Sequence, residues 1–322
     1  MFGLHLSVRR VAQFSWQRLV ILPSLVLIQG CPMKIATFIS QGRRKVGVVD
    51  DSAQSVRPFA FSDAEASQGL LAVLDRGDQL PALRDAIALQ DIVLEAPVPR
   101  PRRNIFCVGK NYHEHAKEFS SSGFDSSAAA GVIPKAPIIF SKLPESVVAT
   151  GHDVIIDSTV STAIDYEAEL AVIIGRPGRR ISKRDALSHV WGYTIINDVT
   201  ARDLQSRHSQ WLIGKSQDTF CPMGPFAVSK DGFDLGSAEI RCFVNGELRQ
   251  QARIEQLIFD IPTLIETLSQ GITLNVGDII ATGTPAGVGI GFNPPKYLEA
   301  GDKVRVELDG IGSLENRFVA HT

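Results

Sequence analysis

The chain has 322 residues, 44% of them hydrophobic and 21% charged, which is an ordinary globular composition for one large or two modest domains. Its formal net charge of -2 gives no bulk attraction to nucleic acid or to an anionic membrane surface. An anionic ligand would have to be held by local positive charge or by a metal.

Residues 1–32 stand apart. They carry Arg9, Arg10 and Arg18, no acid, and then an apolar stretch from Leu19 to Ile28 interrupted by Pro23. That stretch is too short to span a bilayer. It reads either as a targeting segment or as an over-extended start, with translation beginning at Met33. The second reading is favoured, because the chain beyond Met33 has the look of a cytoplasmic metabolic enzyme. Cys31, Cys107, Cys221 and Cys242 contain no CxxC pair and read as reduced thiols, not as a disulfide framework or a zinc site.

Two alternating runs, 34–40 and 45–50, flank a glycine-containing turn and predict a β-hairpin. Helical periodicity comes next at 63–77 and 81–89. The Pro- and Arg-rich segment 96–103 reads as a linker, dividing a small N-terminal α+β domain (33–95) from the remainder (96–322). Beyond it lie many short strands, with Asn245-Gly246 as a hairpin turn. The helices expected there are 181–190 and 256–271. Many strands and few helices predict a mainly β fold with some α, a sandwich or rolled barrel. The Ser-, Ala- and Gly-rich stretch 119–131 is either a solvated connector or a lid over a ligand.

The segment DYEAELAVIIG (165–175) is an apolar strand preceded by acids at alternate positions. Asp165, Glu167 and Glu169 share one strand face, spaced about 7 Å or less, where like charges repel unless a cation offsets them. Hard divalent ions such as Mg²⁺, Mn²⁺ or Ca²⁺ take oxygen ligands of this kind. Asp198 ends the next apolar run, GYTIIND, where it can converge on the same ion before a polar turn with Arg202 and Asp203.

In FCVGKNYHEHAKEF (106–119) a strand becomes a helix, and His115 and Glu118 share a helix face. A carboxylate beside an imidazole fixes its tautomer and raises its basicity, so the pair can activate a water; the plain alternative is a surface contact. Lys215 comes after a strand-like apolar run and can supply a fixed positive charge. The GKS triplet there is not a phosphate-binding loop, because Ser209 stands where that motif needs glycine. The glycine-rich DIIATGTPAGVGIG (278–291) has no subsequent helix to receive a pyrophosphate, but its amides and the Thr284 hydroxyl can bind a carboxylate.

Taken in order and spacing, VGKNYHEHAKEF, PIIFSK, DYEAELAVIIG, GYTIINDVTARDLQ, GKSQDTFCPMGP, VNGELRQ and GDIIATGTPAGVG resemble the fumarylacetoacetate hydrolase superfamily, from about residue 100 to the C-terminus. The likeness is to its short members, of the fumarylacetoacetate hydrolase domain-containing and 5-carboxymethyl-2-hydroxymuconate isomerase types. The resemblance implies a mixed β-sandwich roll, usually a homodimer, with a bound Mg²⁺ or Mn²⁺. It implies Glu167, Glu169 and Asp198 as metal ligands, His115 and Glu118 as a water-activating dyad, and Lys215 as the stabiliser of a developing enolate. It places Arg202, Gln205 and Thr284 at the substrate, and leaves Asp165 out of the ligand set, as a strand-end or supporting residue. The loop GKNYHE lacks the further metal-ligating Asp of the larger family hydrolase, so a three-carboxylate site is expected.

The implied chemistry is on a 2-oxo or 1,3-dicarbonyl acid through a metal-bound enolate. Three outcomes share that logic: hydrolysis of a C–C bond of an acylpyruvate-type substrate, decarboxylation of oxaloacetate, and keto–enol or double-bond isomerisation. The His/Glu dyad favours hydrolysis or decarboxylation. A rival reading, a non-catalytic Ca²⁺-binding β-sandwich, accounts for the acids but gives no role to Lys215 or the dyad.

Overall fold

The computed structural model describes residues 32–123, 125 and 133–321. The expectations for residues 1–31 and for most of the connector at 119–131 lie outside these described residues.

The N-terminal hairpin forms from Lys34–Ser40 and Arg43–Asp50. Its turn is two residues, Gln41 and Gly42, both with positive φ (53° and 70°), the geometry that matches the twist of the strands. Strand Lys34–Ser40 also pairs with Cys221–Ser229, so the N-terminal strands continue the main sheet. The segment expected to be a linker is packed in place. Ala96 and Val98 are buried, and Pro97 O accepts from Thr37 Oγ1 at 2.9 Å and from Leu70 N at 2.8 Å. One apolar cluster joins Ile35, Val46 and Leu70 to Ile105, Ala171 and Met223, so the sheet and the core cross the position at which the sequence suggests a boundary.

The centre of the main sheet runs Lys34–Ser40, Cys221–Ser229, Val190–Asn197, Ala168–Ile174, Ile279–Ala281, Ile105–Gly109 and Ile138–Lys142. Every residue of Ala168–Ile174 is buried. Alternation sends its side chains to two cores: Leu170, Val172 and Ile174 into one, Ala171 and Ile173 into the other. A strand covered on both faces has no polar face to show, hence the unbroken AVII run.

A second, five-stranded sheet is formed by Glu247–Arg253, Glu239–Val244, Lys303–Leu308, Gly312–Ala320 and Asp153–Ile156. Its inward residues Ile240, Cys242, Val244, Val304, Val306 and Leu308 pack in the cluster that holds Leu170 and Val172. The architecture is therefore mainly β, with the two sheets packed face to face and few helices. Asn245 and Gly246 make the expected hairpin turn, at φ 51° and 83°.

The helices differ from the expected spans. The 63–77 region is two short helices, Asp63–Ala66 and Leu70–Arg76, broken at Gly69 (φ 62°). The 81–89 region is extended, because its backbone pairs with the sheet edge: Ala60 N donates to Ala82 O and Arg84 N to Pro58 O. At 181–190 only a 3₁₀ turn, Ala186–His189, forms. The Ser182 hydroxyl donates to Asp185 Oδ2 at 2.6 Å and the backbone bonds there are i,i+3, Asp185 N to Ser182 O at 3.0 Å and Ser188 N to Asp185 O at 2.9 Å. Helix Ile261–Ser269 falls within its expected span, started by Asp260 Oδ1 accepting from Thr263 N at 2.9 Å and by a proline in the first turn. Among the described residues no helix is long and apolar enough to cross a membrane.

Candidate active site

Glu169 projects from Ala168–Ile174, the central strand. Glu167 lies just before it, where its N–H donates to Asn197 Oδ1 at 3.0 Å and its carbonyl accepts from Asp198 N at 2.8 Å. This crossing of strand ends brings Asp198 to the two glutamates. Ligand oxygens of Glu167, Glu169 and Asp198 all lie within 4.8 Å of one another, and all three residues are buried. Asp165 does not join them. The strand alternation expected over 165–169 is interrupted, because Ile164–Asp165 pairs with Thr200–Ala201 as a separate two-stranded ladder.

Three cations answer these acids. Lys215 Nζ lies 2.8 Å from Glu167 Oε2 and 2.8 Å from Asp198 Oδ2. It is carried by the short helix Leu212–Lys215, not by the strand that its apolar approach suggests. Arg202, from helix Arg202–Arg207, places Nη1 2.7 Å from Glu167 Oε1 and donates through Nε to Asp165 Oδ2 at 2.9 Å. Lys142, absent from the sequence-based set, ends strand Ile138–Lys142 and lies 2.6 Å from Asp198 Oδ1. The available signal was a lysine closing the apolar run PIIFSK, at a place where an exposed lysine is the usual occupant.

Burial alone would raise the Glu167 carboxyl, but Lys215, Arg202 and His115 hold it down to about 2. Glu169 behaves oppositely: burial, with Asp198 and Glu167 close by, pushes its carboxyl well above the usual range. Burial would lower the Lys215 ammonium, yet Asp198 and Glu167 raise it. Glu169 Oε2 accepts from Gly283 N at 2.8 Å, while Oε1 is buried with no hydrogen-bond partner among the described residues. An orphaned carboxylate oxygen in a cluster of three acids fits a hard divalent cation, which would satisfy that oxygen and offset the mutual repulsion.

His115 and Glu118 lie on helix His113–Ser121, with Nδ1 3.3 Å from Glu118 Oε2. Glu118 also accepts from Gly287 N, at 3.0 Å to Oε1. A cleft beside the acids is lined by His115, Glu167, Arg202, Gln205 and Thr284, together with Lys110 and Trp211, which the sequence did not single out. Two of its polar groups are already engaged. Gln205 Oε1 accepts from Arg202 Nη1 at 3.1 Å. The Thr284 hydroxyl donates to Ala168 O at 3.0 Å and accepts from Gln250 Nε2 at 2.8 Å. Arg202 Nη2, by contrast, is buried without a partner among the described residues. Asn111, next in sequence to the cleft residue Lys110, is a further buried anchor. It donates to Thr282 O at 2.7 Å and accepts from Phe259 N at 2.7 Å, tying the strand-to-helix turn to the glycine-rich loop.

Comparison with known proteins identifies the family and its relatives. The family described as "Fumarylacetoacetate (FAA) hydrolase C-terminal" matches residues 104–319. "Oxaloacetate tautomerase YisK" of Bacillus subtilis (strain 168) is 52% identical over 234 residues, which is 72% of this chain and 74% of that protein. "Oxaloacetate tautomerase FAHD2A, mitochondrial" of Homo sapiens is 41% identical over 257 residues, 76% of this chain and 78% of that one. Among solved structures, "Fumarylacetoacetate hydrolase (EaFAH) from psychrophilic Exiguobacterium antarcticum" has a TM-score of 0.75 at 41% identity, covering 90% of this chain and 100% of that chain. A 5-carboxymethyl-2-hydroxymuconate delta-isomerase from Mycobacterium smegmatis has a TM-score of 0.71 at 31% identity, covering 90% of this chain and 100% of that chain. With that family model matching residues 104–319 and relatives at 52% and 41% identity over 72% and 76% of the chain, the chain belongs to the fumarylacetoacetate hydrolase family.

Proposed function

We propose that this chain is an isomerase that interconverts the keto and enol forms of oxaloacetate or a closely similar short 2-oxo acid, assisted by Mg²⁺ or Mn²⁺. The observation that carries the reading is the pair of orphaned buried atoms. Glu169 Oε1 and Arg202 Nη2 are buried with no hydrogen-bond partner among the described residues, and Arg202 lines the same cleft as His115. A carboxylate-bearing substrate and a divalent ion supply both partners. The names of the tautomerase relatives favour isomerisation over the C–C hydrolysis that the dyad alone suggests.

Glu167, Glu169 and Asp198 would hold the ion, which supplies Lewis acidity toward a substrate oxygen when bound. Arg202 Nη2 takes the substrate carboxylate. The bond from His115 Nδ1 to Glu118 leaves Nε2 for proton exchange. In the keto-to-enol direction the C3–H bond breaks as its proton passes to neutral His115 Nε2, a C2–C3 double bond forms, and the imidazolium returns a proton to the C2 oxygen, directly or through water. No electrons leave the substrate, so no redox partner is needed. Lys215 commits two of its three N–H bonds, to Glu167 and Asp198, and the third can serve the negative oxygen as it develops.

The test is to follow enol absorbance of oxaloacetate with Mg²⁺ or Mn²⁺, alongside pyruvate release from acylpyruvates. Equilibration of oxaloacetate well above the buffer rate, without carbon loss, supports the proposal. Buffer-rate equilibration together with catalytic cleavage of acylpyruvates would reject it in favour of hydrolysis.

A further inference from the structure

Asp165 is wholly buried, and its carboxylate accepts four hydrogen bonds. Oδ1 takes Tyr166 N at 2.9 Å and Gly289 N at 2.6 Å, while Oδ2 takes Ile290 N at 3.0 Å and Arg202 Nε at 2.9 Å. Two parts of the site that are distant in sequence therefore end on one side chain. On one side stands Arg202, which continues to Glu167 Oε1. On the other is the glycine loop 287–291. Gly287 N in that loop donates to Glu118 Oε1 at 3.0 Å and to Oε2 at 3.2 Å. Gly287 O accepts from Tyr166 OH at 2.8 Å, so Asp165 and its neighbour grip the loop at both ends. Glu118 then meets His115.

The loop can come this close only because it is bare backbone. Gly287 has φ 103°, and a Cβ there would fall 1.8 Å from Arg249 O. A Cβ at Gly291 would fall 1.9 Å from Glu118 Oε1. The glycine-rich loop whose amides the sequence offers to a carboxylate thus forms a seat for the chain's own Glu118.

We propose that Asp165 is a positioning residue which, through the glycine loop, fixes Glu118 and with it the His115 ring, while its second oxygen fixes Arg202 against Glu167. The catalytic consequence rests on the proton-transfer role given to His115 above. An ionised carboxylate suits this task because it only accepts, and every group facing it donates. In Asp165→Asn the amide nitrogen confronts two donors, so either the loop or Arg202 loses its anchor.

The test uses full-length protein, oxaloacetate with Mg²⁺ as the probe, and ¹⁵N NMR of the histidine rings. Three variants are compared with Glu118→Gln. Asp165→Asn removes the charge. Asp165→Glu keeps the charge beside Arg202 but moves the oxygens off the loop amides, so it carries the test if the first does not fold. Gly291→Ala presses on the flexible end of Glu118 and leaves the backbone alone. Each should shift the His115 ring resonances as Glu118→Gln does and lower kcat about tenfold or more; in Gly291→Ala, KM should stay within about twofold. The double variant Asp165→Asn/Glu118→Gln should lose less than the product of the single losses. Unshifted His115 resonances in folded Asp165 variants, or losses that multiply, would overturn the proposal. A Glu118→Gln enzyme with normal turnover but shifted resonances would reject the catalytic role of the dyad; a matching shift in the Asp165 variants would then still support the clamp.

Discussion

The Lys142 ammonium lies 2.6 Å from Asp198 Oδ1, and neither side chain is exposed. Its other two protons go to Val199 O, at 3.1 Å, and to Lys215 O. With three donors spent, Lys142 has none left for a substrate. Its work is to hold Asp198 and the helix end that carries Lys215.

Lys142→Met should therefore be costly to the fold. It leaves Asp198 buried beside Glu169 with only Lys215 as a counter-charge, and truncating one partner of a buried pair typically costs about 3–5 kcal/mol. Urea denaturation in EDTA measures this, and a loss under about 1 kcal/mol would contradict the reading of Lys142 as an anchor.

Glu169→Gln should separate metal binding from stability. The variant removes a charge that burial and its neighbours already disfavour, so the protein in EDTA should be as stable as wild type or more so. Affinity for Mg²⁺ or Mn²⁺ should fall about tenfold or more in calorimetric titration, because a neutral amide is a poorer ligand for a hard cation. Unchanged affinity would remove Glu169 from the ligand set.

Acid titration isolates Glu167. Its carboxyl is held at about 2 in the fold, against an ordinary value of 4.5. The sign comes from linkage: a depressed carboxyl contributes its stability above the unfolded value and loses it as pH falls through the folded one. The contribution is complete above pH 4.5 and disappears progressively toward pH 2. Denaturation midpoints of metal-free protein should fall through that window, and Glu167→Gln should flatten the slope. Parallel slopes for the two proteins would show that other groups govern the acid transition.

Oxalate, a flat dicarboxylate, probes Arg202. Its binding should require the divalent ion. Arg202→Lys should weaken it by roughly tenfold or more, because lysine cannot reach Asp165, Glu167 and a ligand carboxylate at once as the planar guanidinium fork does. Metal-independent oxalate binding, or equal affinity in the variant, would place the anion elsewhere.

Much of this site was legible in the chain because its parts are local patterns. The spacing of Glu167 and Glu169 before an apolar run, the His115–Glu118 helical step and the terminal acid of GYTIIND are read from neighbours in sequence. The helical readings at 81–89 and 181–190 failed for a related reason. Periodicity reports which residues are apolar, whereas Ala82 and Arg84 take their backbone partners from the edge strand near Pro58 and Ala60. Lys142 was missed because a lysine declares itself buried only when its counter-charge, 56 positions away, is placed beside it.

By itself the sequence determined the hairpin turns, the mainly β character and a family resemblance, since each depends on short-range geometry and residue chemistry. The tertiary structure alone decided which acid joins which charge. It diverted Asp165 from the neighbouring glutamates to Arg202 and the glycine loop, and it left Glu169 Oε1 and Arg202 Nη2 without partners among the described residues. Those outcomes turn on strand crossings and desolvation, and the electrostatic value of a buried charge depends on everything packed around it.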